Sequence, residues 1–271
     1  MPELPEVETT VSGIKPWLEN KKIKKINVYN SSLRWKIPED LPKKYLNQKI
    51  TAITRRAKYI LLHLESKATI IIHLGMSGSL VINTDNKSLA KHDHFEMIME
   101  DGTILRYNDP RRFGCVLDTQ EVSEHKLLIN LGPEPLTAEF TGKWLKTKAQ
   151  NKTQAVKNFI MDGKIVVGVG NIYASEALFL AGINPNKSAR KVSQSKYNVL
   201  AEMIKIVLSN AIKSGGTTLN DFVNAEGKPG YFAQKLKVYA RTGEPCTSCG
   251  KAITQKTIGQ RSTFYCTQCQ K

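Results

Sequence analysis

Eight short segments with the character of β-strands follow one another between Ile23 and about Thr119, and no helical pattern separates them. They are rich in isoleucine, valine, leucine and threonine, and turn signals such as Asp101-Gly102 divide them. Strands in succession without crossover helices pair antiparallel, so this stretch is predicted to form a sandwich or barrel-like domain. The predicted strands are Ile23–Tyr29, Ile50–Thr54, Tyr59–Leu64, Thr69–Leu74, Gly78–Asn83, His94–Met99, Thr103–Tyr107 and Cys115–Asp118.

Helical periodicity appears on both sides of this strand-rich stretch. Val7, Val11, Ile14 and Leu18 recur at the spacing of one helix face, and Pro5 suits the first helical turn, where a missing N–H is no loss. Beyond residue 130 apolar residues recur at helical spacing again. The predicted later helices are Gly142–Ala149, Gln154–Met161, Asn171–Ala181 and Ser195–Ser214.

A turn-rich connector at Leu131–Leu136 separates the strand pattern from the later helices. The predicted fold class is therefore α+β. It consists of an N-terminal helix with an antiparallel β-sandwich, a helical domain and a C-terminal zinc-ribbon hairpin. The predicted domains are the sandwich at residues 1–130, which would hold the catalytic residues, the helical domain at 131–235 and the zinc-ribbon hairpin at 236–271.

Four of the five cysteines lie close to the C-terminus, in two pairs of the form Cys-x2-Cys. Cys246 and Cys249 form the first pair, and Cys266 and Cys269 form the second. Four thiolates close a tetrahedral Zn²⁺ site and leave no open position, so we expect one structural zinc ion. The alternatives are free or disulfide-linked cysteines, or an iron–sulfur site.

The chain carries 40 lysines and arginines against 24 acidic residues, a formal net charge of +16. Such an excess indicates a polyanionic partner, which is either nucleic acid or an anionic membrane surface. The apolar runs are far shorter than the roughly 20 residues of a spanning helix, and the acidic N-terminus does not resemble a signal peptide. We therefore expect a cytoplasmic chain that binds nucleic acid, although a solvated basic surface is the simpler interpretation of each charge cluster.

The N-terminus itself is a candidate chemical group. Pro2 follows the initiator methionine, whose removal would leave a secondary amine at the start of the chain. Secondary amines add to aldehydic carbons and form iminium ions, which act as electron sinks for elimination. The reference pKa of an α-amino group is about 8, and a helix N-terminus would lower it further. Glu3 and Glu6 stand beside Pro2 and could transfer protons.

Six motifs stand in the order found in formamidopyrimidine-DNA glycosylase, the bacterial enzyme that excises oxidised purines from DNA. The chain resembles that family over essentially its whole length. The resemblance implies a β-sandwich domain, a helix–two-turns–helix domain and a zinc finger, in agreement with the patterns above. The motifs are Met1–Thr9, Arg55–Tyr59, His73–Gly78, Asp109–Gly114, Gly168–Ala174 and the two cysteine pairs.

The resemblance also implies catalytic roles. Pro2 would be the nucleophile that attacks C1′ of the damaged nucleotide and forms a Schiff base. Glu3 would protonate the sugar oxygen during ring opening, and Glu6 would support the site. Lys58 resembles the family lysine associated with β-elimination, and Arg261 resembles the finger arginine associated with δ-elimination. Because arginine stays protonated, phosphate binding is the role we expect for Arg261.

Recognition requires the damaged base to leave the stack, and side chains must then fill the hole. Met76, Arg111 and Phe113 match the void-filling residues of the family, and Arg111 can donate to the acceptors of an orphaned cytosine. Further DNA-contact positions implied by the resemblance are His92 and Lys152. Asn171 follows the glycines at a predicted helix N-terminus, where it can donate to a DNA phosphate, and Lys157 is a weaker candidate. Residues 215–230 match a loop that closes over the flipped base, where backbone amides are expected to read the lesion.

A metal site at His92 and His94 is the less favoured interpretation of that pair, because alternating strand residues point to opposite faces.

The predicted function is a base-excision repair glycosylase and abasic-site lyase that completes strand cleavage by β,δ-elimination. Its partner would be double-stranded DNA containing oxidised bases or abasic sites. It would act as a monomer without membrane association, in the bacterial cytoplasm at the nucleoid. Two alternatives stay open. One is an endonuclease VIII-like glycosylase for oxidised pyrimidines, and the other is a non-catalytic zinc-finger DNA-binding protein.

Overall fold

The computed structural model of the chain describes residues 2–84, 88–217 and 235–271. Most of the loop predicted to close over the flipped base, residues 218–230, therefore lies outside the described residues. Within the described chain, residues 2–129 and 214–217 form one compact unit, and residues 130–213 and 235–271 form a second. No helix in these residues is both long and apolar enough to cross a lipid bilayer.

The first unit opens with helix α1 (Leu4–Leu18) and continues as two four-stranded antiparallel sheets. One sheet has the strand order β1-β6-β7-β5 and the other has the order β2-β3-β4-β8. A one-turn helix, α2 (Leu41–Lys44), is too short to produce a periodic pattern and was not predicted. The strands are β1 Ile23–Val28, β2 Ile50–Arg56, β3 Tyr59–Leu64, β4 Thr69–His73, β5 Ser79–Asn83, β6 Asp93–Met99, β7 Ile104–Asn108 and β8 Cys115–Thr119.

Both sheets contribute to one apolar core. Ile60 and Ile72 come from the β2-β3-β4-β8 sheet, and Phe95 and Leu105 come from the β1-β6-β7-β5 sheet. All four side chains are fully buried. The predicted apolar face of α1 packs into the same core. The antiparallel sandwich with an N-terminal helix is therefore confirmed.

The second unit contains four longer helices, a short 3₁₀ helix at Ala189–Lys191 and a two-stranded hairpin. The helix α4 starts two residues later than predicted, because Ala155 is extended and pairs with Ser188 in an isolated β-bridge. The elements are α3 Gly142–Ala149, α4 Val156–Met161, α5 Asn171–Leu180, α6 Gln194–Lys213, β9 Thr254–Ile258 and β10 Arg261–Tyr265.

The core of this helical part predicts a large effect for one truncation. Phe159 of α4 is fully buried, and its ring meets that of Tyr197 edge-on at 6.1 Å between centroids. We expect Phe159→Ala to lower the free energy of unfolding of this unit by about 3–5 kcal/mol, because it removes buried surface and leaves a cavity. Urea unfolding followed by tryptophan fluorescence checks this value. Val199→Ala, at an exposed position of α6, is the matched control and should stay within about 0.5 kcal/mol of the parent chain.

Candidate active site

The start of α1 is buried although it lies at the start of the chain. Pro2 is buried, and Glu3 and Glu6 are 3% and 2% exposed. The Glu6 carboxylate accepts a hydrogen bond from the backbone N–H of Glu3 at 2.8 Å, which satisfies one of the amides left without a partner at a helix N-terminus. The two carboxylates predicted to act beside Pro2 are therefore held in a fixed geometry around the first helical turn.

A distant glycine turn closes on the same carboxylate. The second oxygen of Glu6 accepts from the backbone N–H of Thr217 at 2.8 Å. Gly216 has a φ of +81°, and a Cβ built on it would lie 3.1 Å from Glu6 Oε1. The left-handed backbone and the short distance to Glu6 both favour glycine at this position. The turn after α6 therefore approaches Glu6 closely, with no side chain in between.

Lys58 lies in the two-residue turn between β2 and β3, next to Ala57, whose φ of +54° is left-handed. Arg55 ties this turn to α1. Its Nε donates to the Glu8 carboxylate at 2.6 Å, and its Nη1 donates to the Ala57 carbonyl at 2.9 Å. One arginine thus fixes the turn that carries Lys58 to the helix that begins directly after Pro2 and Glu3. Lys58 itself is half-buried.

His73, at the end of β4, is a feature of this unit to which the sequence analysis assigned no role. Its ring stacks at 4.8 Å against that of Tyr59, and its Nδ1 accepts from the backbone N–H of Gly75 at 3.0 Å. Burial, together with the cations Lys58 and Arg34, lowers the pKa of His73 to about 4. The ring is therefore neutral at physiological pH, which its acceptor role toward Gly75 requires.

The three predicted void-filling residues lie on two loops that meet. Met76 is half-buried on the loop after β4, whereas Arg111 and Phe113 are exposed on the loop after β7. The Arg111 guanidinium lies 4.8 Å from the centroid of the Phe113 ring, a cation–π contact. A phenylalanine that is 44% exposed is available to contact a partner, so the structure separates Phe113 from the apolar core.

His92 lies directly before β6 and is half-buried, whereas His94 is buried and its Nε2 bonds to the Asp109 carbonyl at 2.8 Å. Their ring centroids are 6.4 Å apart. In the part of the chain that the structure describes, the four clustered cysteines are the one group of three or more histidine, cysteine, aspartate or glutamate side chains close enough to hold a metal ion. The two histidines differ in burial and in hydrogen bonding, and the expectation that they do not form a metal site stays a prediction.

The four cysteine sulfurs lie within 4.8 Å of one another at the base of the β9–β10 hairpin. Cys246 and Cys269 are separated by 3.9 Å between sulfurs, and Cys249 and Cys266 by 3.4 Å. Tetrahedral Zn²⁺ with Zn–S bonds of about 2.3 Å needs sulfurs about 3.8 Å apart. The donor set and its spacing therefore fit one zinc ion with no open coordination position.

Cys115, the remaining cysteine, is fully buried at the start of β8, and burial raises the pKa of its thiol to about 12. It stays protonated and belongs to the sandwich core.

Arg261 is exposed beside the tight turn of the hairpin, where Gly259 and Gln260 both have left-handed backbone. The prediction that Lys157 contacts DNA is not supported, because Lys157 has no exposed surface. Its ammonium donates to the Ser262 carbonyl at 3.1 Å and to the Thr263 hydroxyl at 2.7 Å. Since a buried ammonium is stable only with such partners, Lys157 acts in the structure as an anchor for the strand that presents Arg261.

Asn171, the first residue of α5, contributes to the same anchor. Its Nδ2 donates to the Ser262 carbonyl at 3.0 Å, and its side chain is half-buried. Lys152 is exposed in the segment between α3 and α4. Both residues thus lie on the second unit, as do the hairpin and its cysteines.

Comparison with known proteins agrees with this geometry. Models of the formamidopyrimidine-DNA glycosylase N-terminal domain and H2TH domain match residues 1–116 and 131–223, and a zinc finger found in FPG and IleRS matches residues 243–271. The formamidopyrimidine-DNA glycosylase of Marinobacter nauticus is 52% identical over 271 residues, which is all of both chains. The chain belongs to the formamidopyrimidine-DNA glycosylase family.

Solved structures of family members agree over the same length. A complex of Lactococcus lactis Fpg with DNA containing an abasic site superposes with a TM-score of 0.91 at 33% identity, and it covers 99% of each chain. The MutM protein of Thermus thermophilus gives a TM-score of 0.89 at 31% identity, with 99% of this chain and 98% of that chain covered.

Family membership identifies an enzyme, a DNA glycosylase with abasic-site lyase activity, and excludes the non-catalytic zinc-finger protein. DNA is its partner, and the four cysteines form one structural zinc site. Sequence reasoning missed His73 and Asp109, although both lie within the motifs that carried the resemblance. It also missed the anchoring role of Arg55. Nothing in a linear motif signals which polar side chain is buried against which loop.

The zinc site predicts a metal stoichiometry that one substitution removes. We expect one zinc ion per chain by elemental analysis, and little or none in Cys266→Ser, because loss of one thiolate opens the tetrahedral site. Cys115→Ser is the matched control, since it changes a buried cysteine outside the cluster, and it should retain the full zinc content. Equal loss of zinc from both variants would contradict the assignment.

His73 predicts a pH-dependent contribution to stability. A histidine with a folded pKa of about 4 and an unfolded pKa near 6.5 stabilises the fold fully above pH 6.5, and this stabilisation is lost as the pH falls through 4. Over that interval the loss is on the order of 3 kcal/mol. His73→Asn keeps an acceptor for Gly75 but does not titrate. Urea unfolding at pH 7 and pH 4.5 should therefore show a smaller loss on acidification for the variant than for the parent chain.

Proposed function

We propose that this chain excises oxidised purines, namely 8-oxoguanine and formamidopyrimidines, from double-stranded DNA and then cleaves the strand at the resulting abasic site. The observation that carries the proposal is the buried first turn of α1, which holds Pro2, Glu3 and Glu6 together. A related Fpg of Lactococcus lactis forms complexes with Fapy-dG-containing DNA and with abasic-site DNA, which supports the substrate class.

The first step uses the N-terminal amine. Once Pro2 is the first residue, its nitrogen attacks C1′ of the damaged nucleotide and the C1′–N bond to the base breaks. The proton on the Pro2 nitrogen passes to the departing base, which leaves as a neutral molecule and returns a lone pair to the nitrogen. The C1′–O4′ bond then opens as the carboxylic acid of Glu3 gives its proton to O4′, and the nitrogen lone pair forms the iminium. Glu3 is suited to this transfer by position, because it follows Pro2 directly and is 3% exposed. Glu6 holds the turn in place through its two backbone hydrogen bonds.

Elimination follows from the iminium. Loss of the C2′ proton expels the 3′-phosphate, and a second elimination expels the 5′-phosphate, after which water releases the sugar fragment from Pro2. Lys58 binds phosphate and assists β-elimination, and the tie of its turn to α1 through Arg55 supports this role. Arg261 binds the phosphate that leaves in δ-elimination. The zinc ion takes no part in these steps and holds the hairpin that carries Arg261.

The duplex is held by residues of both units. Met76, Arg111 and Phe113 fill the space left by the extruded nucleotide, and Arg111 pairs with the orphaned cytosine. His92, Lys152 and Asn171 bind the DNA backbone, where contacts position the protein and depend on salt concentration. Lys157 acts indirectly, through the hairpin strand that it anchors.

We propose further that the enzyme acts as a monomer in the bacterial cytoplasm, at nucleoid DNA, and is divided into domains at residues 1–130, 131–235 and 236–271.

Borohydride trapping tests the nucleophile. Reduction during turnover on a duplex with 8-oxoguanine opposite cytosine should yield a covalent protein–DNA complex. Proteolysis and mass spectrometry should place the adduct on the peptide that begins with Pro2. Pro2→Gly should lower excision by at least about tenfold, because a primary amine gives a neutral imine that must be protonated before it can accept electrons. An adduct on Lys58 instead would overturn the assignment.

The second candidate substrate class is oxidised pyrimidines. A Lactococcus lactis Fpg structure contains DNA with an oxidised pyrimidine, which is the observation that favours testing it. Single-turnover excision of 8-oxoguanine and of an oxidised pyrimidine, each in the same sequence context, separates the two. Faster excision of the purine is the expected result, and the reverse order would favour the endonuclease VIII-like activity.

A further inference from the structure

Asp109 lies directly after β7 and has no exposed surface. Its carboxylate accepts three hydrogen bonds. Oδ1 accepts from the Ser77 hydroxyl at 2.7 Å, and Oδ2 accepts from the Tyr107 hydroxyl at 3.1 Å and from the backbone N–H of Gly114 at 2.9 Å. A buried carboxylate with this many donors is held in one place, since loss of any partner leaves a polar group without compensation.

Two of the three donors belong to the loops that carry the proposed void-filling residues, and the third, Tyr107, belongs to β7. Ser77 follows Met76, and Gly114 follows Phe113. The Ser77 hydroxyl also accepts from the backbone N–H of Arg111 at 3.1 Å. Asp109 and Ser77 therefore link the loop that carries Met76 to the loop that carries Arg111 and Phe113 through two consecutive hydrogen bonds.

The backbone of Asp109 extends the link to a third segment. Its N–H donates to the carbonyl of His92 at 3.0 Å, and its carbonyl accepts from the backbone N–H of Arg112 at 3.1 Å. Arg112 has a φ of +55°, a left-handed conformation that is costly for arginine and persists only where the surroundings impose it. Thus one residue contacts the loop that carries Met76, the loop that carries Arg111 and Phe113, and the segment that carries His92.

Close packing leaves these loops no independent freedom. A Cβ on Gly75 would lie 2.4 Å from the backbone nitrogen of Gly114, and a Cβ on Gly114 would lie 1.9 Å from the Tyr107 hydroxyl. The two loops approach backbone to backbone through glycines, with the Tyr107–Asp109 pair behind them. A shift in one loop must therefore displace the other.

We propose that Asp109 is a positioning residue whose hydrogen bonds, directly and through Ser77, set the spacing between Met76 and the Arg111–Phe113 pair, and thereby the selectivity for the damaged base and for the base opposite it. This inference rests on the proposed function, in which those three side chains fill the space that the extruded nucleotide leaves in the duplex. Asp109 itself does not touch the substrate.

Ser77→Ala is the sharpest test, because Ser77 is only half-buried and its hydroxyl makes both links between the loops. We expect single-turnover excision of 8-oxoguanine opposite cytosine to fall about tenfold, the factor that corresponds to one lost hydrogen bond. The preference for cytosine over adenine opposite the lesion should fall as well. Cleavage of a preformed abasic site, which needs no base to be extruded, should change by less than about threefold. Ser77→Thr keeps the hydroxyl and should restore both.

Tyr107→Phe and Tyr45→Phe form a matched pair. Each removes one phenol hydrogen bond to a carboxylate in the same unit, to Asp109 in the first case and to Asp118 in the second. The proposal expects only Tyr107→Phe to change the ratio of lesion excision to abasic-site cleavage. If both variants lower the two activities by one common factor, or if Ser77→Ala leaves the ratio unchanged, the network serves stability alone and the proposal is wrong.

Met76→Ala and Phe113→Ala in the same assay separate this inference from the proposed function. If they lower lesion excision while Ser77→Ala and Tyr107→Phe do not, the role of Asp109 fails and the void-filling role stands. If they leave excision unchanged, the void-filling role fails and takes the Asp109 proposal with it. If the parent chain excises no lesion, the proposed function itself fails.

Discussion

Chain ends usually fray, because few contacts order them, yet here the second residue is buried. The constraint that makes this possible is the docking of α1 into the sandwich core through Val7, Val11, Ile14 and Leu18. Glu6 completes it by accepting backbone hydrogen bonds from Glu3 on one side and Thr217 on the other. Chemistry at an N-terminal amine needs that amine in a fixed position, so every proposed catalytic step depends on the packing of this one helix.

Buried carboxylates serve as junctions elsewhere in the chain. Asp109 joins the loops of the sandwich unit, and in the second unit Glu176 of α5 accepts from the backbone N–H groups of Lys237, Val238 and Tyr239 at 2.8–3.0 Å. In both places the backbone is irregular, and the side-chain oxygens accept hydrogen bonds from backbone N–H groups that a regular helix or sheet would pair with carbonyls. A carboxyl group that accepts from several N–H or O–H donors satisfies buried polar groups that would otherwise be left unpaired, which explains why such acids tolerate near-complete burial.

The large positive charge has two different uses. In the proposed function, exposed cations such as Arg111, Lys152 and Arg261 supply attraction to phosphate, which is not specific to sequence or lesion. Buried or half-buried cations hold the framework: Lys157 anchors the hairpin strand at Ser262, and Arg55 fixes the turn of Lys58 to α1. The proposed function assigns selectivity to the shape of the loops that present Met76 and Phe113, and not to the charge itself.

Most of the fold was accessible from local pattern. All eight strands of the sandwich and the longer helices were predicted to within about two residues, because period-two and helical spacing report directly which face is buried. The one-turn helix α2 was missed, since four residues carry no period. The delayed start of α4 was also missed, because its cause is a bridge to Ser188, which is remote in sequence.

The sequence by itself determined the strand-rich and helical parts and the zinc ligands. Through the family resemblance it also supplied the residues proposed for the glycosylase and lyase chemistry. These depend on residue type and spacing, which are local properties. Only the tertiary structure decided that Lys157 faces inward, that His73 is neutral, and that one carboxylate at Asp109 links two separate loops. Burial and hydrogen-bond partners are set by segments tens of residues apart, so no pattern within a motif could have revealed them.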